Sequence, residues 1–133
     1  MTRTDVESEI REHLGIVPSF FEDVPDELIE AEWTTFRDFE LGDTAIPNKY
    51  KELIGLGVSG ATRCRYCAYF HTEAAKLFGA TEDEIREAAY MAKHTMAWST
   101  YLNTRQLDYD EFTREVDRIA DHVRSQVPVG AGV

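Results

Sequence analysis

Apolar residues recur at intervals of three and four along almost the whole chain, and no segment alternates apolar and polar residues long enough to make a half-buried strand. A chain of 133 residues patterned this way is restricted to helices packed on helices. Val6, Ile10 and Leu14 give a first helix that Thr4 and Glu7 can cap and Gly15 ends. Pro18 to Pro25 reads as a link carrying Phe20-Phe21, and Pro25 opens a second helix with Leu28, Ala31, Trp33, Phe36 and Phe39. After a break at Leu41-Gly42-Asp43-Thr44, Pro47 opens a third helix with Tyr50, Glu52, Leu53, Ile54 and Val58, which gives way to a joint at Ser59 to Thr62. A fourth helix runs from about Thr62 to Phe78, before Gly79. Thr81 with Glu84 forms a capping box for a fifth, holding Ile85, Ala88, Met91 and Ala92. A short helix over Trp98 to Leu107 and a last one from Asp108 to about Val127 complete the chain. The expected architecture is all-α, a bundle of six or seven helices in one domain over residues 1–133, with a frayed tail over about 128–133. Apolar stripes on several short helices leave surface over for a partner subunit, so a homo-oligomer is expected.

Charge narrows the function. The net charge is −11, which disfavours nucleic acid and anionic membrane surfaces, both of which need basic neutralisation. No stretch approaches the roughly 20 apolar residues of a membrane span. Met1 to Glu7 lacks the basic-then-apolar order of a secretion signal, so a cytoplasmic protein is expected. The charge is uneven: −10 over residues 1–47, +3 over 48–77 and −4 over 78–133. The net-positive segment holds both cysteines of the chain, and local positive charge favours a thiolate.

Those cysteines are too few for a secreted disulfide scaffold. They stand in the run Cys64-Arg65-Tyr66-Cys67-Ala68-Tyr69-Phe70-His71. On a helix, residues three, four and seven apart share a face, so Cys64, Cys67 and His71 fall in one column. Cys64 would lie in the first helical turn, where unpaired amides favour the anion. His71 could take a proton from Cys67. A thiolate attacks a peroxide to give a sulfenic acid, a second thiol one turn away condenses with it to a disulfide, and an external dithiol restores the pair. The constellation therefore suits peroxide reduction or disulfide exchange with no metal and no organic cofactor. Two other readings are open from the residues: a non-catalytic helical oligomer with a regulatory or structural disulfide, and a zinc module using Cys64, Cys67, His71 and Glu52. His13 and His122 read as solvated, and His94 as a residue that could approach the site from another helix.

Cys64-x-x-Cys67-x-x-x-His71, with Glu52 twelve residues before Cys64, resembles the core motif of the alkylhydroperoxidase AhpD-like proteins of the carboxymuconolactone decarboxylase superfamily. Ile46-Pro47, Leu53-Ile54-Gly55-Leu56 and Gly79-Ala80-Thr81-Glu82-Asp83-Glu84-Ile85 agree with it, and the likeness covers about residues 18–107, the core of the AhpD-like domain. The resemblance implies an all-helical trimer or hexamer that reduces alkyl hydroperoxides through a thiol pair. It implies Cys67 as the peroxidatic thiol, Cys64 as the resolving one, and His71 with Glu52 as a proton relay. The reductant it implies is a dithiol partner, a lipoyl protein or a thioredoxin-like one. Position 66 is Tyr where well-studied members carry His. The decarboxylase branch lacks this cysteine pair.

Overall fold

The computed structural model describes residues 1–128; of the expected tail, residues 129–133 lie outside the described residues. Among the described residues there are seven α-helices and no strand: α1 (Arg3–Leu14), α2 (Ser19–Glu22), α3 (Ile29–Thr34), α4 (Asn48–Thr62), α5 (Arg65–Leu77), α6 (Glu82–Arg105) and α7 (Tyr109–Gln126). Directly after α3 the chain continues as a π-helical segment, Thr35–Glu40. Residues Met1–Ala92 form one compact unit and a second begins at Lys93, the boundary falling within α6.

The boundaries differ from the sequence reading where local chemistry offered two choices. The first helix is capped by Thr2, whose hydroxyl accepts from the Asp5 amide while Asp5 accepts from the Thr2 amide, rather than by Thr4 and Glu7. Gly15, with φ +81°, ends it as expected. The link after Pro18 contains a single helical turn, α2, that seats Phe21 in the core. α4 continues through Ser59–Thr62, because the break is made by Arg63 in the left-handed region (φ 56°) and not by the small residues before it. The fifth and the short helix are one continuous rod, α6, since nothing between Ala92 and Trp98 breaks it. Its start obeys the capping box: the Glu84 amide donates to Thr81 Oγ1 at 3.1 Å and the Thr81 amide to Glu84 Oε2 at 2.8 Å.

In the first unit the core is Val6 and Ile10 of α1, Phe21 of α2, and Ile29 and Trp33 of α3, with Leu14, Val17, Val24 and Phe36 against it. Burying each large apolar side chain contributes about 1.5–3 kcal/mol. The rings interlock: Phe21 meets Trp33 edge-on at 5.7 Å and Phe36 at 5.4 Å. His13, expected to be solvated, turns its ring edge-on to Trp33 at 5.5 Å while staying exposed. α4 packs along α5, and the cysteines stand at the start of α5, Cys64 just before it and Cys67 within it.

In the second unit, Asp108 caps α7 by accepting from the Glu111 amide at 2.7 Å. Trp98 Nε1 is 3.1 Å from His94 Nε2, so His94 is paired one turn along its own helix. No described helix is long and apolar enough to cross a membrane.

Candidate active site

The site begins at the α4–α5 joint. Arg63 in its left-handed conformation reverses the chain, the Cys64 amide donates to the Ser59 carbonyl at 2.9 Å, and α5 starts at Arg65. Cys64 is therefore the N-cap of α5, with extended backbone (φ −89°, ψ 104°), and not a member of its first turn. The correction is small in register and large in chemistry. As a cap, Cys64 Sγ faces the free amides of the helix start and accepts from the Cys67 amide at 3.2 Å. The two sulfurs are 2.8 Å apart and both cysteines are free thiols.

These contacts separate the two thiols. The thiol of Cys64 is held below its ordinary range, first by its hydrogen bond with the Cys67 thiol, then by the Cys67 and Tyr66 amides. The Cys67 thiol is pushed up, first by its hydrogen bond with Cys64, then by burial, by the Cys64 charge and by Glu40. The contacts therefore favour ionisation of Cys64 over Cys67. Cys67 is the more exposed of the two.

Cys67 and His71, four residues apart on α5, open onto a cleft of about 1150 Å³ that Phe20, Phe36, Phe70 and Glu40 also line. Tyr66 and Tyr69 stand at it, each 75% exposed. His71 Nδ1 lies 2.7 Å from Glu52 Oε2. Glu52, on α4, is 0% exposed, and its second oxygen, Oε1, has no hydrogen-bond partner. A buried carboxylate costs several kcal/mol unless it is paired, which fits a carboxylate kept for its imidazole. Gly55, three residues on, makes the approach possible: a Cβ there would lie 2.5–2.6 Å from three atoms of the His71 ring. Phe70 flanks the imidazole edge-on at 5.2 Å and meets Phe36 at 5.8 Å, which links the site to the aromatic core.

Sequence reasoning missed Glu40. It ends the π-helical segment, where the Leu41 amide reaches the Phe36 carbonyl at 3.0 Å, one residue further back than in an α-helix. Such single wide turns recur at functional sites. Lys51 Nζ ties this corner down, donating to the carbonyls of Phe39 (2.5 Å) and Gly42 (2.8 Å) and to Thr44 Oγ1 (2.9 Å). Ligand-type atoms of Glu40, Glu52 and His71 all lie within 4.8 Å of one another. Burial, then the Glu52 charge, pushes the Glu40 carboxyl above the usual range, against opposing charges on His71 and Lys51. No sequence signal marked this residue: an acid at the end of an amphipathic helix is ordinarily solvated. The Glu40–Glu52–His71 set is also the group of described side chains close enough to share a metal ion, and it does not include the cysteines of the zinc module considered above.

The comparisons agree with the motif. Residues 27–107 match the model of the carboxymuconolactone decarboxylase family. The chain is similar to the alkylhydroperoxidase AhpD core of Rhodospirillum rubrum, known from a crystal structure, with a TM-score of 0.70 and 26% identity over 83% of this chain and 84% of that one. It is 31% identical over 64 residues to a protein of Paracoccus denitrificans described as uncharacterized protein 4 in the cox locus. That match covers 48% of this chain and 58% of the Paracoccus protein. With a family match over most of its length and a helical fold like that of the AhpD core, the chain belongs to the carboxymuconolactone decarboxylase family.

Proposed function

We propose that this chain is a thiol-dependent peroxidase or disulfide reductase that works through Cys64 and Cys67, with small hydroperoxides as substrates and an external dithiol, of lipoyl or thioredoxin-like type, as reductant. One observation carries the reading: two free sulfurs 2.8 Å apart, of which Cys67 opens onto the cleft beside a His71–Glu52 pair. Once Cys64 has ionised, the Cys67 proton crosses to it, which leaves a thiolate facing the cleft. That thiolate attacks the terminal oxygen of the peroxide; the S–O bond forms, the O–O bond breaks, and Cys67 becomes a sulfenic acid. Cys64, now protonated, condenses with it, giving a disulfide and water. A dithiol reduces that disulfide by exchange and is itself oxidised. The imidazole of His71, fixed by Glu52, moves protons on the cleft side of Cys67.

The AhpD likeness and the motif support Cys67 as the attacking thiol and Cys64 as the resolving one, although Cys64 is the more acidic. Access favours Cys67, which lines the cleft. A cytoplasmic trimer or hexamer belongs to the same reading. It is supported by the exposed stripe Tyr50, Ile54 and Val58, spaced by four along α4. Mass spectrometry after one equivalent of hydroperoxide tests the roles. Wild type loses two hydrogens in the 64–67 peptide, and Cys64→Ser accumulates a sulfenic acid trappable at Cys67. Oxidation at neither sulfur sinks the reading.

A further inference from the structure

We propose that Glu40 is the acid that protonates the oxygen leaving when Cys67 attacks a hydroperoxide; this rests on the peroxidase reading above. Glu40 lines the same cleft as Cys67 and His71. Its carboxyl lies within 4.8 Å of Glu52 and His71, while Glu52 spends Oε2 on His71 and leaves Oε1 buried without a partner. Two carboxylates so close do not both ionise cheaply, and Glu52 is the one paired with the His71 imidazole, so Glu40 is the one favoured to keep a proton. The upward push on Glu40 from burial and from Glu52 agrees with this placement. The wide helical turn at Phe36–Leu41 and the three contacts of Lys51 hold the corner from which Glu40 reaches the cleft.

The step balances. The Cys67 thiolate bonds to the terminal OH oxygen of ROOH, the O–O pair leaves with RO, and sulfur is oxidised to sulfenic acid. RO⁻ takes the Glu40 proton to become ROH, leaving Glu40 ionised. Glu40 recovers its proton from solvent in the open cleft. Condensation of the Cys64 thiol with the sulfenic acid releases water and needs no further proton.

A general acid matters in proportion to the basicity of what leaves. The test is single-turnover thiol oxidation by tert-butyl hydroperoxide, whose leaving alkoxide is strongly basic, and by peracetic acid, whose leaving carboxylate needs no proton. Glu40→Gln is expected to slow the alkyl hydroperoxide about 100-fold and the peracid less than about 5-fold. Glu40→Asp, which keeps an acid, is expected to recover part of the loss. Circular dichroism of both variants confirms that the helices persist. Equal losses with both oxidants, or no loss with either, overturns the assignment while the peroxidase reading stands. A wild type inert to both oxidants overturns the peroxidase reading and the acid role with it. A stoichiometric divalent ion in the purified protein that is lost in Glu40→Gln overturns the acid role in favour of a metal site.

Discussion

The imidazole of His71 occupies the space that a side chain on residue 55 would need. A Cβ built on Gly55 comes within 2.6 Å of Nδ1 and Nε2 and 2.5 Å of Cε1. Gly55 is helical and has no need of glycine's conformational freedom, so its lack of a side chain serves the neighbour. Alanine in a helix interior is ordinarily favoured over glycine by about 1 kcal/mol. Here Gly55→Ala is expected to leave the helical content unchanged and to lower peroxide turnover about 10-fold or more, by driving the ring away from Glu52. The His71 ring resonances by NMR report the displacement. Unchanged resonances with unchanged turnover would contradict the packing argument.

The thiols give a second prediction. Because Cys64 accepts from the Cys67 amide and is the more acidic thiol, the pH midpoint of alkylation at Cys64 is expected to lie below that at Cys67 in wild type. Replacing Cys67 by Ser keeps the amide donor and substitutes a hydroxyl, so Cys64 stays below the ordinary thiol range. Replacing Cys64 by Ser removes the neighbouring thiolate, and Cys67 is expected to become more acidic than in wild type, because the largest cause of its upward shift is gone. Peptide mapping of iodoacetamide adducts from about pH 6 to 10 reads both directions. A Cys67 that titrates higher in Cys64→Ser than in wild type would reverse the scheme.

Much of this was legible in the sequence. The all-helical class, the Thr81–Glu84 box and the Cys67–His71 register depend on nearest neighbours along one helix, and spacing alone carries them. The Glu52–His71 contact came from the motif likeness rather than from spacing, since α4 and α5 had to pack before those atoms could meet. Three features were hidden for physical reasons. Arg63 makes the break with a left-handed conformation that glycine or asparagine more often supplies, so residue type alone places the joint four residues early. That moved Cys64 from the first turn to the cap. Glu40 depends on a wide turn with no residue signature, and on a lysine twelve positions from Phe39 that fixes the corner.

Glu40 gives a stability prediction with a defined sign. Its folded-state carboxyl titrates above the unfolded value because of burial and Glu52. Between those two values the folded chain binds more protons than the unfolded chain, so this group's contribution falls as pH rises through the folded value. Glu40→Gln lacks the ionisation. Its thermal midpoint is expected to exceed that of wild type at pH 8, and the difference is expected to shrink toward pH 4. Calorimetry at the two pH values checks it; a variant less stable than wild type at pH 8 contradicts the assignment of the shift.

Glu52 separates position from charge. Glu52→Gln keeps the shape, removes a fully buried charge and can still hold the His71 ring through its amide oxygen. We expect helicity within error of wild type and thiol oxidation slowed about 10- to 100-fold. Glu52→Ala leaves a cavity beside the ring and is expected to cost about 2–4 kcal/mol in urea unfolding. A Glu52→Gln protein that unfolds would make Glu52 a structural residue first.

The most direct measurement is steady-state consumption of an alkyl hydroperoxide by the whole chain, supplied in turn with a lipoyl dithiol and a thioredoxin-like reductant. Turnover is expected with at least one reductant in wild type and none above background in Cys67→Ser. Equal consumption by the two proteins would contradict the account.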